Sequence, residues 1–99
     1  LKDDHTNQHG AAHGGVLAYL ADNALTYAGG SVLGANCVTL EMKINYLKPG
    51  KGARLVARAR VAGSGAKQAV CQCDVFALDA VGKETLCAIA QGTIWKLGD

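Results

Sequence analysis

Two periodicities divide the chain. In HGGVLAYLADNALTYAGG the apolar positions Val16, Leu17, Leu20, Ala24 and Tyr27 recur every three to four residues, the spacing of one helix face. The pattern predicts a core helix from about Gly15 to Ala28, stopped by the pair Gly29–Gly30, since glycine is the usual residue just past a helix end. The middle of that segment is almost wholly apolar or alanine, which predicts burial on most sides. From Val38 the period falls to two. Val38, Leu40, Met42, Ile44 and Tyr46 alternate with Thr39, Glu41, Lys43, Asn45 and Leu47, as in a half-buried strand.

KPGKG is a turn signal. ARLVARARVA then reads as a second strand, with Leu55, Ala57, Ala59 and Val61 opposite Arg54, Arg58 and Arg60. GSGAK turns the chain again, and QAVCQCDVFALDA and TLCAIAQGTIWKL, joined by VGKE, add two more strands. Residues 1–12 read as loop. The predicted fold class is α+β: one long helix and at least four antiparallel strands, with no repeat or linker to divide residues 1–99 into more than one domain.

One helix covers one face of such a sheet. The other face carries Arg58, Arg60, Gln72 and Asp74 together with Phe76, Ile89 and Trp95, and long edge strands invite pairing with a second copy. A homodimer with a continuous sheet is therefore expected. Composition points the same way. Apolar residues make up 49% of the chain, but 17 of them are alanine and five are aromatic, so the core is thin. Charged residues are 18%, below the usual share of about 25%.

Ten Lys+Arg against eight Asp+Glu carry no electrostatic footprint of a nucleic-acid binder. No apolar run reaches the roughly 20 residues of a membrane span, and no signal-peptide pattern opens the chain, so a cytoplasmic location is expected. Cys71 and Cys73 are two apart in an extended run and point to one side of a strand. That is not the spacing of a zinc or redox pair. With Cys37 and Cys87 they read as reduced thiols used as small apolar residues, and no metal is expected.

The candidate chemistry lies in NQHGAAHGGVLAYLAD. Gly14 and Gly15 sit where loop becomes helix, so their N–H groups lack helical partners at the positive end of the macrodipole. Such a turn stabilises negative charge, including an oxyanion developing on a carbonyl oxygen. Asn7 and His13 flank it. Asp22 places a carboxylate on an otherwise apolar helix, where burial is costly unless the charge is paired. From position alone, Asp22 is either catalytic or a structural carboxylate bonded to a nearby loop or a neighbouring subunit. His13 is either catalytic or a helix-start histidine bonded to backbone. Gly14 and Asp22 are eight residues apart, about 12 Å at 1.5 Å per residue, too far to meet around one carbonyl. If the site is catalytic, it is shared by two antiparallel helices of a dimer.

The string NxxGxxHGG, an Asp nine residues after the His, VTLEMKINYLKP and a closing GK…AQGT resemble the hotdog-fold acyl-CoA thioesterases, in their PaaI-like (phenylacetate-pathway) branch. The resemblance runs from about residue 4 to the C-terminus. It implies a hotdog fold, a central helix wrapped by an antiparallel sheet, with dimers that often pair into tetramers. It also implies a strand ahead of the Asn loop, to which only LKDD would belong here. By matching position, Asp22 resembles the family's general base or nucleophile, and Gly14 the glycine whose N–H polarises the thioester carbonyl. Asn7 resembles the asparagine that holds the thioester or water, His13 the histidine that orients the loop, and Thr39 the Ser or Thr facing the site from the next strand.

The expected activity is hydrolysis of an acyl-CoA thioester, with CoA as part of the substrate and no separate cofactor. Lys48, Lys51, Arg54, Arg58, Arg60, Lys67 and Lys83 are candidates to meet its phosphates, and Tyr19, Tyr27 and Leu33 to line an acyl pocket. The alternatives are an acyl-thioester dehydratase or hydratase, which would pair His13 with an acid, and a non-catalytic acyl-CoA-binding protein.

Overall fold

The computed structural model describes residues 11–12, 14–51 and 54–98. A 20-residue helix, α1 (Gly14–Leu33), packs on one face of four antiparallel strands: β2 (Cys37–Tyr46), β4 (Arg54–Ser64), β5 (Gln68–Leu78) and β6 (Glu84–Lys96). The sheet order is β2-β6-β5-β4. Two short strands, β1 (Ala11–Ala12) and β3 (Gly50–Lys51), form a separate antiparallel ladder. This ladder corrects the reading of residues 1–12 as loop throughout and of KPGKG as turn alone. Two-residue strands leave no periodicity to detect. The α+β architecture and the four long strands are as expected.

The helix is longer than its apolar pattern suggested. It runs through Gly29–Gly30 and ends at Gly34, which takes φ +97° and donates its N–H to the Gly30 carbonyl at 2.9 Å. A left-handed residue closing the last turn is the usual end of a helix. Gly29 serves packing instead: a Cβ there would lie 2.6 Å from Ile94 Cβ. Burial is also narrower than expected. Leu17, Ala21, Leu25, Gly29 and Leu33 form a buried stripe at every fourth residue, while Tyr19 and Tyr27 are 66% and 85% exposed. The helix rests on the sheet along one ridge, so alanine content overstated how much of it is covered.

The ridge meets the side of the sheet formed by Ala69, Cys71, Cys73, Val75, Cys87, Ala90 and Ile94, all buried. Leu55, Ala57, Ala59 and Val61 of β4 pack against this core. Cys71 and Cys73 share the helix-facing side, and all four thiols are unpaired. Burial pushes the Cys73 thiol up to about 11, with the neighbouring Asp74 charge adding to it. Burial, and then Cys37, raise that of Cys71.

The expected strict alternation of β2 fails at one point. Thr39 pairs with Ile94 and Glu41 with Thr93, so Leu40 is an extra residue in the ladder, a β-bulge. Met42 and Ile44 face the core as predicted. Before the bulge the phase is reversed: Cys37 and Thr39 are half-buried, while Val38 and Leu40 are exposed. Tyr46 is exposed as well.

On the far face, Arg58 pairs with Glu84 through its two terminal guanidinium nitrogens and lies over the Phe76 ring, 4.9 Å from its centroid. Arg60 approaches Asp74 at 3.7 Å, and Gln72 donates to Gln91 at 3.0 Å. Arg58 and Arg60, two of the candidates for CoA phosphates, thus face partners of their own sheet.

Two outcomes follow. Gly29→Ala overpacks the helix–sheet contact and costs about 1–3 kcal/mol, read as a lower thermal midpoint. The buried thiols keep protons in the fold that the unfolded chain releases above 9.0. Stability is therefore intact below about pH 9 and falls as pH rises toward about 11. Thermal midpoints at pH 8 and pH 10.5 should differ less in Cys73→Ala than in the wild type.

Candidate active site

Asp22 follows buried Ala21 by one residue, which turns its side chain about 100° away from the core ridge and leaves it half-buried beside β2. There the Thr39 hydroxyl donates to Asp22 Oδ1 at 2.7 Å. Thr39 Oγ1 also lies 2.9 Å from Thr26 Oγ1, and Thr26 Oγ1 lies 2.8 Å from the Asp22 carbonyl oxygen. Each hydroxyl has one proton to give. An ionised Asp22 accepts that of Thr39, so the proton of Thr26 goes either to the Asp22 carbonyl or to Thr39 Oγ1. The carboxylate is thereby oriented from the neighbouring strand, through a hydrogen bond of the charge-assisted kind.

Thr39 reaches this position because of the bulge. If the phase of Met42 and Ile44 continued backwards without an extra residue, Leu40 and Val38 would face the helix and Thr39 would face away.

Gly14 opens α1, and its N–H has no partner within the helix. Its carbonyl accepts a hydrogen bond from the Tyr46 hydroxyl at 3.1 Å, which ties the start of the helix to the end of β2. A Cβ at Gly14 would meet the Tyr46 ring at 3.7 Å, an ordinary contact. One unbroken helix separates Gly14 from Asp22 by eight residues, about 12 Å. Asp22 and Thr39 are brought together, and Gly14 stands apart from them in the same chain. Asn7 and His13 lie outside the described residues.

A groove of about 600 Å³ runs along the helix, lined by Asn23, Thr26, Tyr27, Gly30, Ser31, Ala35 and Cys37, and shares Thr26 with the hydrogen-bonded cluster at Asp22. Of the residues expected to line a pocket, Tyr27 does so. Leu33 is in the core, and Tyr19 points to the surface away from this groove. Sequence reasoning missed Thr26 and Tyr46. Thr26 stands one helical turn after Asp22, a spacing that puts the two on one face, and this signal was available.

These features fit a family comparison. A family model of the thioesterase superfamily matches residues 9–82. The chain belongs to that superfamily, in its PaaI-like branch. It is 36% identical over 97 residues to human acyl-coenzyme A thioesterase 13, covering 93% of this chain and 64% of that protein. The phenylacetic acid degradation protein PaaI of Thermus thermophilus, solved in a mutant form, superposes with a TM-score of 0.79 at 34% identity over 97% of this chain and 78% of its own. A Bacillus halodurans protein crystallised with CoA superposes with a TM-score of 0.87 at 27% identity, over 100% of this chain and 64% of its own. The chain spans 62–64% of the length of the curated relatives it matches. Among the described residues, no helix is long and apolar enough to cross a membrane.

Thr39→Val keeps the side-chain shape but leaves the carboxylate without its donor. It should cost about 1–3 kcal/mol in urea unfolding at pH 7, and Thr39→Ser should recover most of the loss.

Proposed function

We propose that the chain hydrolyses acyl-CoA thioesters in a site shared by two copies. The observation that carries this reading is the Asp22 carboxylate, half-buried on the helix and held by the Thr39 hydroxyl at 2.7 Å. The names of its relatives supply the substrate class: a human acyl-coenzyme A thioesterase and a protein crystallised with CoA.

In this mechanism the thioester carbonyl oxygen accepts the Gly14 N–H at the start of one helix, where the macrodipole favours the negative charge that develops during attack. Asp22 of the second copy supplies the other half. As a general base it takes a proton from water, which attacks the carbonyl carbon; the tetrahedral intermediate then expels the CoA thiolate, which is reprotonated. As a nucleophile it attacks the carbonyl carbon itself, the C–S bond breaks to release the CoA thiolate, which is protonated, and water hydrolyses the resulting anhydride to the free acid and the Asp22 carboxylate. In either case Thr39 leaves the second carboxylate oxygen for the reacting centre by occupying the first.

The 12 Å between Gly14 and Asp22 along one helix requires two helices side by side and antiparallel, each offering its first turn to the other's carboxylate. By their resemblance to the family's residues, Asn7 holds the thioester or water and His13 orients the segment ahead of the helix.

Asp22→Asn should fold as the wild type does and lose about 100-fold or more of its turnover, the scale of a positioned base. Thioester absorbance followed over aryl and straight-chain acyl-CoAs reads this without interference from the four thiols. An asparagine variant that retained full turnover would remove Asp22 from the mechanism.

A further inference from the structure

Tyr46 ends β2 with its side chain toward the start of the helix. Met42 and Ile44 face the core, and Tyr46 keeps their phase, yet it stands half in solvent. Its hydroxyl donates to the Gly14 carbonyl at 3.1 Å, and a Cβ at Gly14 would lie 3.7 Å from its ring. Burial does not call for this bond, since a hydroxyl in solvent exchanges protein for water at small net cost. Phenylalanine would keep the ring contact. What the hydroxyl alone adds is a second hydrogen bond on a carbonyl of the first turn, whose other lone pair serves the helix.

The first turn has need of it. Gly14, Gly15, Val16 and Leu17 open the helix without an acidic side chain. Glycine has the widest backbone freedom of any residue, and the first N–H groups of a helix have no acceptor one turn earlier. Hydrogen bonding within the helix therefore leaves the direction of the Gly14 N–H loosely fixed. Holding the carbonyl and the Cα of Gly14 narrows its φ and ψ, and with them the line of that N–H.

The tyrosine is itself anchored. It pairs with Ala88 of β6. Leu47 and Lys48 both donate to the Cys87 carbonyl, at 2.8 and 3.2 Å, and the Cys87 thiol donates to the Pro49 carbonyl at 3.5 Å. The same segment runs on into β3, which pairs Gly50 with Ala12 and Lys51 with Ala11, just ahead of the helix. β2 is also the strand that holds Asp22 through Thr39. Thr39 and Tyr46 are an odd number of residues apart, so a regular strand would send them to opposite faces. The bulge at Leu40 turns both toward the helix.

We propose that Tyr46 is a positioning residue for thioester hydrolysis: its hydroxyl aims the Gly14 N–H at the carbonyl oxygen on which negative charge develops. The proposal rests on the acyl-CoA reading of the site. A donor fixed in advance needs no reorganisation during reaction, and a misplacement on the order of 1 Å costs about 100-fold in rate. Removing the hydroxyl while keeping the ring is a smaller disturbance, and because the charge develops only in the transition state, the loss falls on kcat.

The test measures kcat and KM, well below the thermal midpoints, for the acyl-CoA that the wild type turns over fastest. Tyr46→Phe should lose about tenfold in kcat with KM within about twofold. Amide exchange followed by NMR should quicken about tenfold at Ala18, which bonds to the Gly14 carbonyl within the helix, and stay unchanged at Leu25. Tyr19→Phe, which removes a hydroxyl from the exposed side of the same helix, should match the wild type throughout. A lower melting temperature with unchanged kcat makes Tyr46 purely structural and overturns the proposal, as does a change confined to KM. If Asp22→Asn is silent while Tyr46→Phe keeps full kcat, the thioesterase reading holds and the role of Tyr46 falls. If the wild type turns over no ester, the thioesterase reading fails. The anchoring of Gly14 then stands if Ala18 exchanges faster in Tyr46→Phe, and falls if exchange is equal.

Discussion

The closeness of α1 to β6 governs the rest of the structure. Two glycines make it possible. Gly29 brings the helix backbone onto Ile94, and Gly92 brings the strand under Leu25, where a Cβ would lie 3.3 Å from Leu25 Cδ1 and 2.8 Å from the Glu41 carbonyl oxygen. In a thin core, close approach replaces side-chain volume: dispersion contacts are short-ranged, and a gap of even one methyl group forfeits them. The buried stripe accordingly mixes leucine with alanine and glycine at every fourth residue. Because β2 is the neighbour of β6, seating the helix on β6 also sets its distance from β2. The reach from Asp22 to Thr39 is a consequence of that seat.

The second constraint is one of phase. A strand has a period of two, so a single inserted residue exchanges its faces. The bulge at Leu40 lets β2 present Met42 and Ile44 to the core at one end and Thr39 to a helix carboxylate at the other. The cost is the exposure of Val38 and Leu40. A regular strand would have buried both and turned the threonine hydroxyl outward, leaving Asp22 half-buried without its donor. Local irregularity and the candidate site coincide here, and breaks in local rules are expected at functional sites.

Much of this was legible in the residues. The change of period from helical to two, the glycine turns and the same-side pair Cys71 and Cys73 were each strong local signals, and the four long strands followed from them. Asp22 stood out because a carboxylate on an apolar helix needs a partner, and the family resemblance placed Thr39 opposite it. Three things were not legible. The end of the helix was misread because glycine serves both as a stop and as a close-contact residue, and only the tertiary neighbour, Ile94, tells the two apart. The bulge was invisible because Val38 and Leu40 are as apolar as the residues that follow, so alternation continues in the sequence where it breaks in the ladder. The short β1–β3 pairing is defined by its partner and has no period of its own.

The breadth of the helix's uncovered side connects stability to chemistry. Its alanines and tyrosines made it look like a core helix, yet a single chain buries one ridge and leaves Tyr19 and Tyr27 largely in solvent. A fully amphipathic helix would carry charge on that side. Here the outward positions between Tyr19 and Tyr27 hold little charge apart from Asp22, so association with another apolar surface removes water at small desolvation cost. Under the proposed mechanism the same geometry is required for a separate reason, since an oxyanion donor and a carboxylate 12 Å apart along one helix become neighbours only when a second helix lies antiparallel beside the first. Under that mechanism burial and catalysis select the same arrangement, and the side of the helix that one chain leaves uncovered is the side that a second copy would cover.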